Sequence, residues 1–253
     1  MPTDLDRVTE RYRARQAAIA AKSALQVGSY WKGVEVGNED SEANFIRLSL
    51  ESISSGFLEG MEYAREFTRE RVAVTPEPIF PNHEQIAASL SYVGPILARR
   101  AMYAGEDFDT ALTPQQARRH VERQVRGSAV RLTAEGSRRV VRSVQSKRIG
   151  WMRVTKGEAP CFFCVALASR GPAYEDDSFD RSDPRFTGPG DVKVHDSCAC
   201  AMIPVTEAEA GQITQLRRYE ELWSELSGKD PKKTDSTPLV TFRRNYEEML
   251  RSA

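Results

Sequence analysis

Pro160-Cys161-Phe162-Phe163-Cys164 and His195-Asp196-Ser197-Cys198-Ala199-Cys200 hold all four cysteines of the 253-residue chain and one of its three histidines. Two thiols at CxxC spacing can reach one ion about 2.3 Å away, and a second thiol-rich turn can complete a tetrahedron. In an extended CxC the side chains of residues i and i+2 share a face, so Cys198 and Cys200 can bind together. His195 makes a fifth candidate for four places. The spacing leaves two ligand sets open: four thiolates with His195 outside them, or His195 in place of one cysteine. Disulfides, or reduced thiols packed as small apolar groups, are the competing readings. The chain begins without a signal-peptide pattern and carries no other cysteine, which favours a reducing compartment and a structural zinc site.

Working outward, the pattern predicts an α+β protein that is predominantly helical: a long-helix body over 1–148, a small cysteine-stapled α/β module over 149–205 and a helical tail over 206–253. Composition, with 40% apolar and 28% charged residues, is that of a chain able to build a core. Nowhere is there a run of about 18 apolar residues, so no membrane partner is expected.

Leu5, Val8, Tyr12 and Ile19 recur at helical steps from a cap at Thr3 or Asp4 to about Trp31. After Gly33, Gly37 and Asn38, a second helix carries the stripe Ile46, Leu50, Ile53, Phe57, Met61, Ala64 and Phe67, with Gly56 and Gly60 marking a close helix crossing. Val74 to Pro81, with three prolines, reads as an extended strap. A third helical segment over 83–104 should kink at Gly94-Pro95, and Gly105 to Asp109 reads as an acidic turn. Thr113-Pro114 starts a helix that runs to about Lys147. Beyond it, strands are expected at Ile149–Val154, Val192–Val194 and Ala199–Val205, with a short helix from Cys161 to Ser169 and a polar loop over 170–191. One helix follows from Thr206 to Leu226, then a linker from Gly228 to Pro238 and a last helix from Leu239 to Leu250.

The formal net charge is zero, but it is segregated. Residues 114–156 hold twelve basic residues against Glu122 and Glu135. The helix from Thr113 shows one narrow apolar stripe, Val121, Val125, Ala129, Leu132, Val140 and Val144, with Gly136 on the same line. That predicts a helix lying on a body with a wide basic face, and Arg118, Arg119, Arg126, Arg138, Arg139 and Arg142 become candidates for binding an anionic partner. A solvated face is the competing reading.

The CxxC, the helix containing Leu167-Ala168-Ser169-Arg170-Gly171, Tyr174, and His195-x-x-Cys198-x-Cys200 leading to Pro204 resemble the phage Mu F-like family. These are minor head, or head morphogenesis, proteins of tailed bacteriophages. The resemblance covers roughly 149–205. It implies a structural, non-enzymatic minor capsid protein in the virion, inside the capsid near the portal, present in the host cytoplasm during assembly. Its implied partners are the portal, other capsid proteins in a multi-chain assembly, and double-stranded DNA in packaging or ejection. Cys161, Cys164, His195, Cys198 and Cys200 match the family's cysteine/histidine motif. The family's proline and arginine within His-Pro-x-Cys-Arg-Cys are replaced here by Asp196 and Ala199.

Three other functions compete. His120-Val121-Glu122 followed by Pro160-Cys161-x-x-Cys164 satisfies the HxE…PCxxC signature of zinc nucleoside and nucleic-acid deaminases. Against it, residues i and i+2 of a helix diverge by about 200°, and His195, Cys198 and Cys200 would have no role. No nucleophile and base pair marks a protease. A zinc-stapled nucleic-acid-binding protein would use the same arginines on phosphates.

Overall fold

The computed structural model describes residues 3–103, 113–144, 146, 148–155, 160–169, 171–172, 198, 200–228 and 238–252. The expected strand at Val192–Val194, most of the loop at 170–191, the turn at 105–109 and most of the linker at 228–238 lie outside them, as does His195.

Three long helices pack on one another: α1 (Asp4–Lys32), α2 (Glu39–Val72) and α5 (Pro114–Ser143). Each begins where the sequence supplies a cap. Thr3 and Asp6 form a reciprocal capping box on α1, Asn38 accepts from Ser41 N–H on α2, and Thr113 and Gln116 box α5 behind Pro114. Between α2 and α5 the chain forms α3 (His83–Ser91), a π-helical turn at Tyr92–Ile96, and α4 (Leu97–Tyr103). The predicted interruption at Gly94-Pro95 takes this form because Pro95 has no N–H for the α-helical ladder, and a wider turn absorbs the missing bond.

The α2 stripe is interior as expected, with Ile53, Phe57, Met61, Ala64 and Phe67 buried. On α1, Leu5, Tyr12 and Ile19 are buried, but Val8 is exposed, and Thr9 and Gln16 occupy the packed face instead. A Cβ on Gly56 would come within 2.3 Å of Ser23 Oγ on α1 and 2.8 Å of Thr133 Cγ2 on α5, so the predicted close crossing is there.

The largest departure is α5. It is not a surface helix with a basic face: from Gly127 to Val141 nearly every residue is buried, including Arg131 and Arg138. Gly127, Ser128, Ala129, Ala134, Gly136 and Ser137 have so little bulk that neighbouring backbones close around them. A Cβ on Gly136 would sit 2.7 Å from the Phe57 carbonyl oxygen. Low side-chain volume, rather than hydrophobicity, makes this segment the axis of the molecule.

β1 (Gly150–Val154) and β2 (Ala201–Val205) pair antiparallel, with Arg153 opposite Met202 and Trp151 opposite Pro204. Both strands are buried throughout because the two faces are covered by different layers. Met152, Val154, Ala201, Ile203 and Val205 join Leu5, Tyr12, Phe57, Met61 and Val140 in the main core, while Trp151 and Met202 face the cysteines. That main core also takes in Ala210, Ile213 and Leu216, so the lines drawn at 148/149 and 205/206 cross a continuous interior.

The helix expected over 206–226 is two helices, α7 (Glu207–Ala210) and α8 (Thr214–Ser227), separated by a turn at Gly211-Gln212. Ile213, at the N-cap of α8, offers no side-chain cap. The Asp6 carboxylate of α1 supplies it, accepting from Thr214 N–H at 3.1 Å and from Thr214 Oγ1 at 2.9 Å. The last helix, α9 (Pro238–Ser252), lies on α8 and on α6 (Phe162–Ala168), with Phe242 and Tyr246 buried among Val165, Ala166 and Tyr219. No helix among the described residues is long and apolar enough to cross a membrane.

Candidate metal centre

Cys161 is the N-cap of α6, its sulfur accepting from the Cys164 N–H at 3.3 Å. Pro160 fixes the approach and its carbonyl accepts from the Tyr246 hydroxyl at 2.9 Å, which ties the first cysteine turn to α9. Cys164, one turn in, points to the opposite side of the sheet from the main core. Cys198 and Cys200 arrive on the segment that enters β2.

The thiols of Cys164, Cys198 and Cys200 lie within 4.8 Å of one another and all three are buried, at 2%, 2% and 5% exposure. The Cys164 and Cys198 sulfurs are 3.6 Å apart, too far for a disulfide and close to the roughly 3.8 Å that separates two ligands on a tetrahedral ion with 2.3 Å bonds. All four cysteines are free, which removes the disulfide reading. Cys161 lies beside the cluster, half-buried and interacting with Cys164, but its sulfur is not within the close group. The residues therefore fit a metal ion: three convergent soft donors and a fourth alongside, in a site closed by Val141, Trp151 and Met202.

Two buried guanidinium groups face this cluster. Arg138, fully buried on α5, donates through Nε to the Cys200 carbonyl at 3.1 Å and through Nη2 to the Cys198 carbonyl at 2.5 Å. The same Nη2 lies 3.5 Å from Cys198 Sγ. Arg153, at 3% exposure, lies on the β1 face that carries Trp151 and meets Met202, the face turned to the cysteines. Hydrogen bonds from the Cys164 and Cys200 thiols, with the positive fields of Arg138 and Arg153, outweigh burial and hold Cys198 well below the usual thiol range. Cys164 is pushed up by hydrogen bonding with Cys161, Cys198 and Cys200 and by burial.

The predicted anion-binding arginines separate into three groups. Arg118 and Arg119 are exposed, together with Arg123, which the stripe did not single out; Arg126, Arg139 and Arg142 are half-buried. Arg138 is corrected outright, because its guanidinium is spent on the cysteine carbonyls inside the protein. Arg153 was missed, although an arginine two residues from Trp151 in a short apolar strand shares that residue's face, which is the available signal.

The deaminase arrangement is not formed. His120 and Glu122 lie in the first half of α5, where they line a cavity of about 480 Å³ with Gln116, Arg119, Arg123 and Arg126. The cysteines meet α5 at Arg138, 18 residues or roughly 27 Å further along the helix. His120 and the CxxC therefore cannot share an ion.

No curated protein and no solved structure matches the chain at a significant level of similarity. The model of the VG15 protein family matches residues 4–226, from the first residue of α1 to the last turn of α8, leaving residues 1–3 and the segment from 227 through α9 outside. With so much of the fold covered, the helical core, the sheet and the cysteine centre alike, the chain belongs to the VG15 protein family, a viral family of phages.

Proposed function

We propose that the protein is a structural minor head protein of a tailed phage, built into the capsid interior near the portal, whose cysteine centre is a zinc staple rather than a reactive site. Membership of a phage protein family and the resemblance of the cysteine/histidine motif to the Mu F-like head proteins support the assignment to the head. The observation that carries the staple is the burial of Cys164, Cys198 and Cys200 against Arg138 of the central helix. A catalytic zinc needs an open position for water or substrate, whereas donors sealed in a core serve stability. Bound zinc would supply folding energy by joining the α6 turn to the entry of β2, two short elements that bury little surface of their own.

Arg118, Arg119 and Arg123 give the exposed half of α5 a basic surface suited to packaged double-stranded DNA or to an acidic capsid partner. The test is copurification with heads. Purified particles should contain the protein in fixed stoichiometry with the portal, and about one zinc per copy of the isolated chain. Absence from heads would overturn the structural assignment, and a metal-free, fully folded chain would overturn the staple. DNA binding that falls steeply with added salt would mark contact with phosphates.

A further inference from the structure

We propose that the cleft between α1 and α8 is a docking site for an acidic peptide segment of a partner protein, its carboxylates held by Arg11, Arg217 and Arg218. The proposal stands apart from the metal centre, the assignment to the head and the basic half of α5, none of which it uses.

The two helices meet at Asp6 and Thr214 and leave between them a cleft of about 930 Å³, within the usual range of binding pockets. Arg7, Arg11 and Ala14, at helical spacing on one face of α1, form one wall, and Arg217 and Arg218 of α8 form the other. Val154 of β1, Ile213 and Tyr219, all nearly buried, line it between the walls. The charge is unbalanced. The lining holds four arginines against two acids, Asp6 and Glu10, a surplus of two positive charges. Both acids are already engaged, Asp6 by Thr3 and Thr214 and Glu10 by Arg13, while Arg7 pairs with Asp4. Arg11, Arg217 and Arg218 are exposed and have no ion pair among the described residues. By contrast, Arg13, Arg47 and Arg65 on α1 and α2 each pair with a glutamate three or four residues away. Arg217 has Glu220 and Glu221 at the same spacings and pairs with neither, lining the cleft instead.

Carboxylates are the counter-charge this geometry suits. A guanidinium fork takes a carboxylate through two parallel N–H bonds, and three forks on the two walls match acids spaced along one short chain. Between the forks, the apolar lining receives the intervening side chains, as a groove receives the anchor residues of a peptide. Duplex DNA suits the cleft less well, because its phosphate backbone carries little that is apolar to place between α1 and α8.

Fluorescence anisotropy of a short labelled peptide of glutamate and leucine, titrated with the full chain, provides the test. The peptide should bind saturably, and Arg11→Glu, Arg217→Glu and Arg218→Glu combined should weaken it by about 10-fold or more. Ala14→Trp, which fills the cleft from an exposed position without changing charge, should also weaken it, whereas reversing Arg118, Arg119 and Arg123 on α5 should not. The charge reversal and Ala14→Trp are independent, so either decides the question if the other variant fails to fold. Absence of saturable binding, equal affinity in the cleft variants and the wild type, or an equal loss in the α5 variant would overturn the proposal. Inorganic phosphate that displaces the peptide at equal concentration would overturn it in favour of a simple anion site. A short DNA duplex that binds more tightly than the peptide, and is released by the same triple substitution, would overturn it in favour of nucleic acid. Self-association abolished by that substitution would overturn it by filling the cleft with a second copy of the chain.

Discussion

Arg138 on the central helix and Cys198 at the entry of β2, sixty positions apart, are joined by a 2.5 Å bond from Nη2 to the cysteine carbonyl, with the cysteine sulfur 3.5 Å from the same nitrogen. This contact fastens the cysteine centre to the helical core, and the Cys200 carbonyl on Nε doubles it. Arg138→Ala removes the donors of two buried carbonyls and opens a large cavity. It should destabilise the fold by about 3 kcal/mol or more, read as a lower urea midpoint. Arg138→Lys should recover little, because an ammonium cannot span two carbonyls as the planar fork does.

The helix crossing at Gly136 should be equally intolerant. A Cβ there would lie 2.7 Å from the Phe57 carbonyl oxygen, which belongs to the α2 backbone and cannot rotate away. Gly136→Ala should cost about 1–3 kcal/mol even though alanine is the better helix former. Chemical denaturation of the two proteins decides it, and a more stable alanine variant would show that α2 and α5 are less closely packed.

Asp6 serves two helices, closing the α1 capping box and capping α8 through Thr214. Burial alone would raise its carboxyl, but the bonds from Thr3 and Thr214 prevail and hold it below the ordinary value. A carboxyl lowered on folding contributes stability above its unfolded value near 3.8, and that contribution disappears as pH falls through the folded value. Asp6→Ala should therefore lose about 1–2 kcal/mol at pH 7, and the gap from wild type should narrow as the pH is taken below 4. Urea titrations at several pH values would show it.

Metal removal and thiol reduction should have opposite outcomes. With all four cysteines free, a reductant should leave the thermal midpoint unchanged, whereas a strong chelator should lower it. Cys164→Ser, which removes a buried donor, should cost at least about 2 kcal/mol and abolish the chelator's effect. Differential scanning calorimetry with and without chelator separates these cases.

The exposed arginines should behave as surface, not as core. Reversing Arg118, Arg119 and Arg123 to glutamate should leave the fold within about 1 kcal/mol per site, since none is buried. Incorporation into heads, or DNA retention by them, should fall. Wild-type incorporation and retention would return this face to simple solvation.

The elements legible in the sequence were those with strong local signals. Thr3 and Thr113 mark helix starts because a capping side chain acts within one turn, and Gly94-Pro95 marks an irregular turn because proline lacks a donor, whereas Asn38, read as a break between two helices, is in fact the cap of the second. The approach of the two cysteine segments could be read from ligand spacing. Less legible was the break between α7 and α8, where the cap of the second helix is Asp6, more than two hundred positions away. Arg138 and Arg153 read as surface charge because sequence alone does not show that carbonyls and sulfurs will surround them.

From its sequence the chain was bound to be mainly helical, with two thiol turns capable of converging on one ion, because periodicity, caps and ligand spacing are local properties that packing rarely reverses. The tertiary structure alone decided that α5 is the axis rather than a surface helix. It also decided that its small residues admit α1 and α2 at close range, and that Arg138 turns inward to the cysteines. The physical reason is that a charged or small side chain has no fixed place of its own. Its burial depends on which distant backbone brings it a partner, and that is settled only when the long helices close on one another.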